Sequence, residues 1–276
     1  MGCIRTCTLG AHILFPVRCY VFLAENSLER HHYFFVCWYF VPFVCKSPYR
    51  SLFGHLVDQF TKYVRNEISL EVARDMVRKE LGKTSQNMRF GCYTSIEVIC
   101  EAMFTTHDAI SSYQTYYQCP DNHQQLYSQS LSIYMAKGNS PFKSTAEWMQ
   151  TNSQQGTNRC EICNKPVTIN ISFVAPPPLV ILELSGSEVD IDGSFEVVHL
   201  GQPNKYDLAG VVYYKDADQH FVSSIVTPDK QLWYYDGMSN GGRMLSSGPL
   251  AIHQGSLAMQ CRGGSPSAAF YILNRD

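Results

Sequence analysis

Apolar positions recur at helical spacing in the first half of the chain. Between Leu56 and Val64 they fall at intervals of three and four residues, which predicts an amphipathic helix. A second helix is predicted to begin at Ser69 as its N-cap and to end at Gly82. A third is predicted to begin at Thr94, where "TSIE" has the spacing of a capping box. The first half is therefore predicted to be helical.

The second half has the pattern of β-strands. Val-, Ile- and Tyr-rich runs such as "PPPLVILELSG", "YDLAGVVYYKD" and "AAFYIL" are separated by turn residues. The segment between about residues 111 and 158 is rich in Gln, Ser, Asn and Tyr, with a short helix predicted around Trp148. Helices followed by a mainly antiparallel sheet are the α+β pattern.

Composition narrows the functional classes. With 276 residues, 45% of them apolar, the chain can bury a core without disulfides. Only 17% of residues are charged and the formal net charge is -2, which argues against a nucleic-acid-binding protein. The count of 11 cysteines is odd and includes an isolated C-x-x-C, which favours a reducing compartment, cytoplasm or nucleus.

The N-terminal region contains two membrane-related patterns. "YFFVCWYFVPFVC" at residues 33–45 is the longest apolar run, but it is interrupted by Pro42 and is shorter than the roughly 18 residues of a membrane span. A buried strand or helix is therefore expected there, and no transmembrane segment. The opening "MGCIRT" matches the pattern for N-myristoylation at Gly2, with Cys3 as a palmitoylation position.

Two pairs of metal-binding residue types lie in the polar segment. Cys160 and Cys163 form a C-x-x-C knuckle, and Cys119 and His123 are separated by three residues. Three thiolates and one imidazole are a donor set that structural zinc takes in tetrahedral sites. These residues predict a structural Zn²⁺ site. The alternative is that Cys160 and Cys163 are thiols without a metal.

The stretch "HFVSSIVTPDKQLWYYDG" predicts a hairpin with His220 at one end and Asp236 at the other. A two-residue turn would place these two side chains on opposite faces of the hairpin. A loop of odd length, such as residues 227–229, would pair Val226 with Lys230 and His220 with Asp236. An odd loop would therefore let Asp236 orient His220 as a general base. The alternative is an edge histidine and a turn aspartate.

The runs of the second half together resemble the histidine box of the ubiquitin-specific protease family of cysteine proteases. "PPPLVILEL" looks like the proline-led strand that follows that family's zinc ribbon. The resemblance covers about residues 85–276 and is most specific from about residue 160. The compact length and the 16 positions between His220 and Asp236 (236 − 220) are more similar to the SUMO-directed branch and its transposon-associated relatives. The matching positions are Tyr206, His220, Phe221, Trp233, Asp236 and 269–273.

The resemblance implies an α+β, papain-like cysteine protease fold with an N-terminal helical subdomain, zinc-ribbon fingers and a C-terminal antiparallel sheet. It implies a divergent segment at 1–50, a helical part at 51–110, fingers at 111–175, and the sheet with the histidine box at 176–276. In such a fold the zinc is structural, and the fingers bind the body of a ubiquitin-like protein.

The function implied by the resemblance is removal of ubiquitin or SUMO from lysine side chains. His220 would be the general base and Asp236 its orienting carboxylate. One alternative is a catalytically inactive protein that keeps the fold and binds a ubiquitin-like partner. Another is an unrelated zinc-ribbon interaction protein, which predicts that His220 and Asp236 lie on opposite faces of the hairpin.

The nucleophilic cysteine is the one catalytic residue that the resemblance does not assign to a single position. Cys37, in "VCWYFVPFV", has the Cys-Trp pair of the SUMO-directed branch and is the candidate. Phe35 and Val36 stand where an oxyanion-stabilising Asn or Gln is expected, and Pro42 would interrupt a helix that continues from Cys37. Cys92, in "FGCYTSIEV", lies too close to the fingers for the family's helical subdomain to fit between them. The alternatives for Cys37 are a buried apolar cysteine and a chain with no intact nucleophile.

Overall fold

The computed structural model describes residues 23–26, 31–34, 52–84, 95, 98–100, 102, 113–129, 134–135, 142–151, 153–173, 175–177, 179–218, 220–227, 229–236, 239, 244–253 and 263–274. Gly2, Cys3, Cys37 and Cys92 lie outside these residues. Within the described part of the chain, helices precede a largely antiparallel sheet. The predicted α+β arrangement is therefore confirmed.

Two helices follow the short N-terminal strand pair at 23–26 and 31–34. α1 spans Leu52–Val64 and α2 spans Leu70–Thr84, and the two pack together. Ser69 caps α2 as predicted, because its Oγ accepts the N–H of Val72 at 3.3 Å. The predicted end at Gly82 is wrong by two residues. A glycine inside a helix costs only about 1 kcal/mol, and Lys83 extends the last turn with an ion pair to Glu80.

A further helical turn at residues 98–100 matches the third predicted helix. Its cap is Ser95, whose Oγ accepts the N–H of Val98 at 3.3 Å. The cap therefore lies one residue after Thr94, which is outside the described residues. Ile99 and Cys100 are buried on this turn, in agreement with an apolar inward face.

A four-stranded antiparallel sheet, which we call the finger sheet, follows in the described residues. It consists of β3 (Tyr113–Gln118), β4 (Gln124–Gln129), β6 (Ser153–Arg159) and β7 (Pro166–Phe173), in the order β4-β3-β7-β6. The β3–β4 and β6–β7 loops lie at the same end of the sheet, because Gln118 pairs with both Gln124 and Thr168. The finger sheet therefore brings residues 119–123 close to residues 160–165.

The main sheet has eight strands in the described residues. The strands are β5 (Tyr134–Met135), β8 (Leu179–Glu183), β9 (Ser194–His199), β10 (Gln202–Lys215), β11 (His220–Val226), β12 (Gln231–Tyr235), β13 (Leu245–Pro249) and β14 (Ser265–Leu273). Their order is β13-β12-β11-β10-β14-β8-β5, and β9 pairs with β10 outside this path. All pairings are antiparallel except that of β5 with β8. A separate pair, β1 (Leu23–Asn26) and β2 (His31–Phe34), is antiparallel.

The predicted short helix around Trp148 is α3, Thr145–Thr151. Trp148 and Met149 are buried in a core that includes Phe195, Tyr206 and Tyr271 of the main sheet. The core thereby packs α3 against the same sheet that carries the hairpin β11–β12.

The N-terminus of α3 is held by a carboxylate from a distant part of the chain. Asp192 Oδ2 accepts the N–H of Ala146 at 2.7 Å and the hydroxyl of Thr145 at 3.2 Å. The Tyr271 hydroxyl donates to the Asp192 backbone carbonyl at 2.8 Å. These bonds connect α3 to β14 through the loop that precedes β9.

Replacing Asp192 with alanine is expected to lower the free energy of unfolding by about 1–3 kcal/mol, because the Ala146 N–H and the Thr145 hydroxyl lose their carboxylate acceptor. Ser144 Oγ still accepts the N–H of Glu147 at 3.3 Å, so one cap of the helix remains. Urea unfolding followed by circular dichroism measures this. The matched control is Glu188→Ala, which removes an exposed carboxylate from the same loop. Equal unfolding midpoints for the two variants would contradict the capping role.

Candidate active site and metal centre

The hairpin β11–β12 has a three-residue loop. Thr227 and Gln231 close it, since the Thr227 N–H donates to the Gln231 carbonyl at 2.9 Å and the Lys230 N–H donates to the Thr227 carbonyl at 2.8 Å. Lys230 has φ +59°, the left-handed conformation that the last residue of such a loop takes. The predicted odd loop length is confirmed, although the loop is 228–230 rather than 227–229.

This shift changes the register between His220 and Asp236. Val226 pairs with Leu232 and not with Lys230, and extension of the register puts Val222 opposite Asp236. The prediction that His220 lies directly opposite Asp236 is therefore wrong by two residues along β11. The two residues are diagonal neighbours on one face, a separation that a histidine side chain can bridge.

His220 and Asp236 are in contact across this diagonal. His220 Nε2 lies 2.8 Å from Asp236 Oδ1, and the two residues are only 1% and 5% exposed. The same-face contact contradicts the opposite faces expected of an unrelated zinc-ribbon interaction protein. Since a carboxylate only accepts, the bond favours the tautomer with its proton on Nε2 and its lone pair on Nδ1.

The Asp236 carboxylate has further donors around it that were not predicted from the sequence. The Ser239 backbone N–H donates to Oδ1 at 3.2 Å, and the Tyr234 hydroxyl donates to Oδ2 at 3.2 Å. Tyr234 shares a face with Asp236 because the two are separated by two residues on a strand. That period-two spacing is the sequence signal that could have identified Tyr234.

The pair has the chemistry of a base and its orienting carboxylate. Asp236 holds one ring nitrogen of His220, and Nδ1 is the nitrogen whose lone pair could take a proton from a thiol. Cys37 and Cys92, the cysteines considered as nucleophiles, lie outside the described residues. The structure therefore describes the His220–Asp236 contact, and the roles of the pair and of the nucleophile remain predictions from the sequence.

A cluster of metal-binding side chains lies at the end of the finger sheet. Ligand atoms of Cys119, His123, Cys160 and Cys163 all lie within 4.8 Å of one another. Cys119 Sγ is 3.1 Å from Cys163 Sγ, and Cys160 Sγ is 3.5 Å from His123 Nδ1. A tetrahedral zinc with Zn–S bonds of about 2.3 Å has sulfur–sulfur edges of about 3.8 Å. The Cys119–Cys163 distance is shorter than such an edge, but all four ligand atoms are close enough to converge on one ion, and the donor set is one that zinc takes.

Each pair of ligands lies on a tight backbone knuckle. In the first, the Cys119 N–H donates to the His123 carbonyl at 3.1 Å, and in the second, the Cys160 N–H donates to the Lys165 carbonyl at 2.8 Å. Asn122 and Asn164 have φ of 64° and 57°, and asparagine tolerates this left-handed conformation better than most residues. The two asparagines allow the chain to turn back so that its ligands converge.

The electrostatics of the cluster favour the thiolate at Cys160 and the neutral thiol at Cys163. Backbone N–H groups of Cys163 and Ile162 lower the pKa of Cys160 to about 6, so this thiol ionises readily at neutral pH. A hydrogen bond with Cys119 raises the pKa of Cys163 to about 12. An ion pair between Lys165 and Asp121, at 2.7 Å, connects the two knuckles and was not apparent from the sequence.

The finger sheet with its knuckles, the main sheet and the hairpin that carries His220 and Asp236 together define a ubiquitin-specific-protease-like fold. The fold is similar to that of a solved SAGA DUB module of Ubp8, Sgf11, Sus1 and Sgf73 bound to monoubiquitin. The TM-score is 0.54 at 12% identity, over 82% of this chain and 60% of that chain. A related module bound to ubiquitin aldehyde gives 0.52 at 12% identity, over 83% and 61%.

A yeast SAGA DUB module with a mutant Sgf73 is also similar, with a TM-score of 0.51 at 11% identity over 80% of this chain and 58% of that chain. This chain thus spans about three fifths of the length of the solved chains that it matches. No protein-family model matches the sequence, and no curated protein matches it. The similarity is therefore one of fold.

None of the helices in the described residues combines the length and the apolar character that crossing a membrane requires.

Proposed function

We propose that this protein is a thiol-dependent isopeptidase that removes ubiquitin, or a ubiquitin-like modifier, from lysine side chains. The observation that carries the proposal is the buried contact between His220 Nε2 and Asp236 Oδ1 on a hairpin of a ubiquitin-specific-protease-like fold. A perturbed or tightly paired histidine inside a fold that hosts this chemistry is a candidate general base.

In the proposed mechanism, His220 Nδ1 takes the proton of the Cys37 thiol. The thiolate attacks the carbonyl carbon at the C-terminal glycine of the modifier, and the carbon–nitrogen bond to lysine breaks. His220 returns its proton to the departing amine, which leaves a thioester on the cysteine. Water, deprotonated by His220, then hydrolyses the thioester and releases the modifier. Asp236 keeps the imidazole oriented and stabilises its charged form in each step.

The metal centre is proposed to be a structural zinc site. Cys119, His123, Cys160 and Cys163 would supply all ligands of a tetrahedral ion, which leaves no position for a substrate or water. The zinc would stabilise the end of the finger sheet and contribute no catalytic chemistry. The finger sheet is then available to bind the body of the modifier.

Ubiquitin is proposed as the modifier that the protein removes, and SUMO is the second candidate. Two solved modules of similar fold carry monoubiquitin and ubiquitin aldehyde. The spacing of His220 and Asp236 is the feature that favours the SUMO-directed branch. Parallel assays with both modifiers decide between them.

Ubiquitin and SUMO probes that carry a C-terminal electrophile test the proposal directly. The expected result is one covalent adduct per chain with the preferred modifier, mapped by mass spectrometry to the peptide that contains Cys37. The adduct should be absent from Cys37→Ala, and Cys92→Ala should react as the wild type does.

Two outcomes would contradict the proposal in different ways. No adduct, together with measurable non-covalent binding of ubiquitin, would indicate an inactive protein that keeps the fold as a binding module. An adduct that persists in Cys37→Ala and is lost in Cys92→Ala would retain the activity and replace the nucleophile.

A further inference from the structure

Tyr234 is a buried tyrosine whose hydroxyl contacts the orienting carboxylate. It lies on β12, two residues before Asp236, and is 1% exposed. Its hydroxyl donates to Asp236 Oδ2 at 3.2 Å, whereas His220 contacts the other oxygen, Oδ1. The two oxygens of the carboxylate therefore have different partners.

We propose that Tyr234 is a positioning residue of the histidine–aspartate pair, an inference that rests on the proposed function of that pair. A carboxylate bound only through Oδ1 can rotate about its carbon–carbon bond. A donor on Oδ2 fixes the plane of the group and keeps a lone pair of Oδ1 directed at His220 Nε2. Tyr234 thus acts on the base through Asp236, without contact to the reacting atoms.

The surroundings of Tyr234 make its hydroxyl a rigid support. Its ring belongs to the same buried core as Val222 and Val226 of β11, so it is held by packing on the strand next to its own. The Ser239 N–H donates to the other carboxylate oxygen, Oδ1, at 3.2 Å. Partners that orient a ligating or catalytic side chain typically change activity about 10- to 100-fold when removed.

Tyr234→Phe tests the role, because it removes the hydroxyl and keeps the ring in the core. Tyr206→Phe is the matched control. Tyr206 is equally buried in the same core, and its hydroxyl donates to the Pro177 carbonyl at 2.8 Å, so its loss also removes one buried hydrogen bond. Both variants are compared with the wild-type chain in three measurements. Urea unfolding gives stability, release of a fluorophore from the ubiquitin C-terminus gives kcat and KM, and ¹⁵N spectra of labelled histidine give the tautomer of His220. The His220 signals are assigned by their loss in His220→Gln.

The expected result for Tyr234→Phe is a kcat about 10- to 100-fold lower with KM within about twofold of the wild type, as lost orientation of a base produces. The His220 nitrogen signals should move from the Nε2–H tautomer toward a mixture of both tautomers. Tyr206→Phe should lose comparable stability while kcat and the tautomer stay unchanged.

Equal kcat and equal His220 spectra in the two variants would overturn the positioning role and leave Tyr234 as a core residue. If the wild type itself turns nothing over, the proposed function fails, and the tautomer measurement alone still decides the role of Tyr234. Should Tyr234→Phe not fold, 3-fluorotyrosine incorporated at position 234 keeps ring and hydroxyl but alters the donor. An unmoved His220 Nε2 signal in that protein would likewise overturn the inference.

Discussion

Replacing His220 with glutamine is expected to lower kcat/KM for release of a fluorophore from the ubiquitin C-terminus by about 10²- to 10⁴-fold, the usual contribution of a general base. Without the imidazole the thiol is not deprotonated, and no group returns a proton to the amine. Glutamine is chosen because its amide can still donate to Asp236. The buried carboxylate therefore keeps a partner, and the fold is retained.

His253→Gln is the matched control for this experiment. His253 Nε2 contacts the Ser247 carbonyl at 2.8 Å. The residue lies in the short helical turn after β13, which bonds to the hairpin through Lys230 at the loop end, opposite the end that carries His220. Its activity should stay within about twofold of the wild type, as for most substitutions outside special features. Full activity of a folded His220→Gln protein would refute the role of the pair as a catalytic base and orienter.

Loss of the metal is expected to have the largest effect on structure. Cys160→Ser should lose its single bound zinc and unfold the end of the finger sheet that contains residues 119–123 and 160–165. Apparent binding energies of structural zinc in zinc-finger peptides are about 10–16 kcal/mol, more than the whole stability of many domains. Zinc content per chain, limited proteolysis and circular dichroism measure the loss, and a chelator added to the wild type should reproduce it.

Cys100→Ala serves as the control for the zinc experiment. Cys100 is fully buried but lies outside the metal cluster, so its truncation tests the loss of a cysteine without the loss of a ligand. This variant should keep the zinc content of the wild type. A wild-type protein that is purified without zinc and does not bind it, yet keeps a protease-resistant finger sheet, would exclude the structural metal site.

The helices and central strands were predictable because local patterns specify them. Ser69 caps α2, and the Val-, Ile- and Tyr-rich runs "YDLAGVVYYKD" and "AAFYIL" match β10 and β14. The finger strands β3, β4 and β6 were not predicted. β4 and β6 are rich in Gln, Ser and Asn, which have low strand propensity, whereas β3 has strand-favouring Tyr and Thr but lies in the same polar segment. For β4 and β6, pairing with β3 and β7 overrides the low propensity.

The metal ligands were predictable from spacing, whereas the geometry that joins them was not. The C-x-x-C spacing of Cys160 and Cys163 predicts a knuckle by itself. The position of Cys119 next to that knuckle depends on the pairing of β3 with β7. The ion pair of Asp121 with Lys165 likewise joins residues 44 positions apart. No local sequence pattern predicts a contact between residues so far apart in the chain.

The sequence by itself determined the residue types of the candidate site: a histidine and an aspartate at the ends of one hairpin, and the Cys and His pairs of the knuckles. Only the tertiary structure decided how they meet. The three-residue loop at 228–230 makes His220 and Asp236 diagonal neighbours, and the Tyr234 hydroxyl donates to Oδ2 of the Asp236 carboxylate. The reason is physical, because register depends on loop closure and on packing against the core, which no short window of sequence contains.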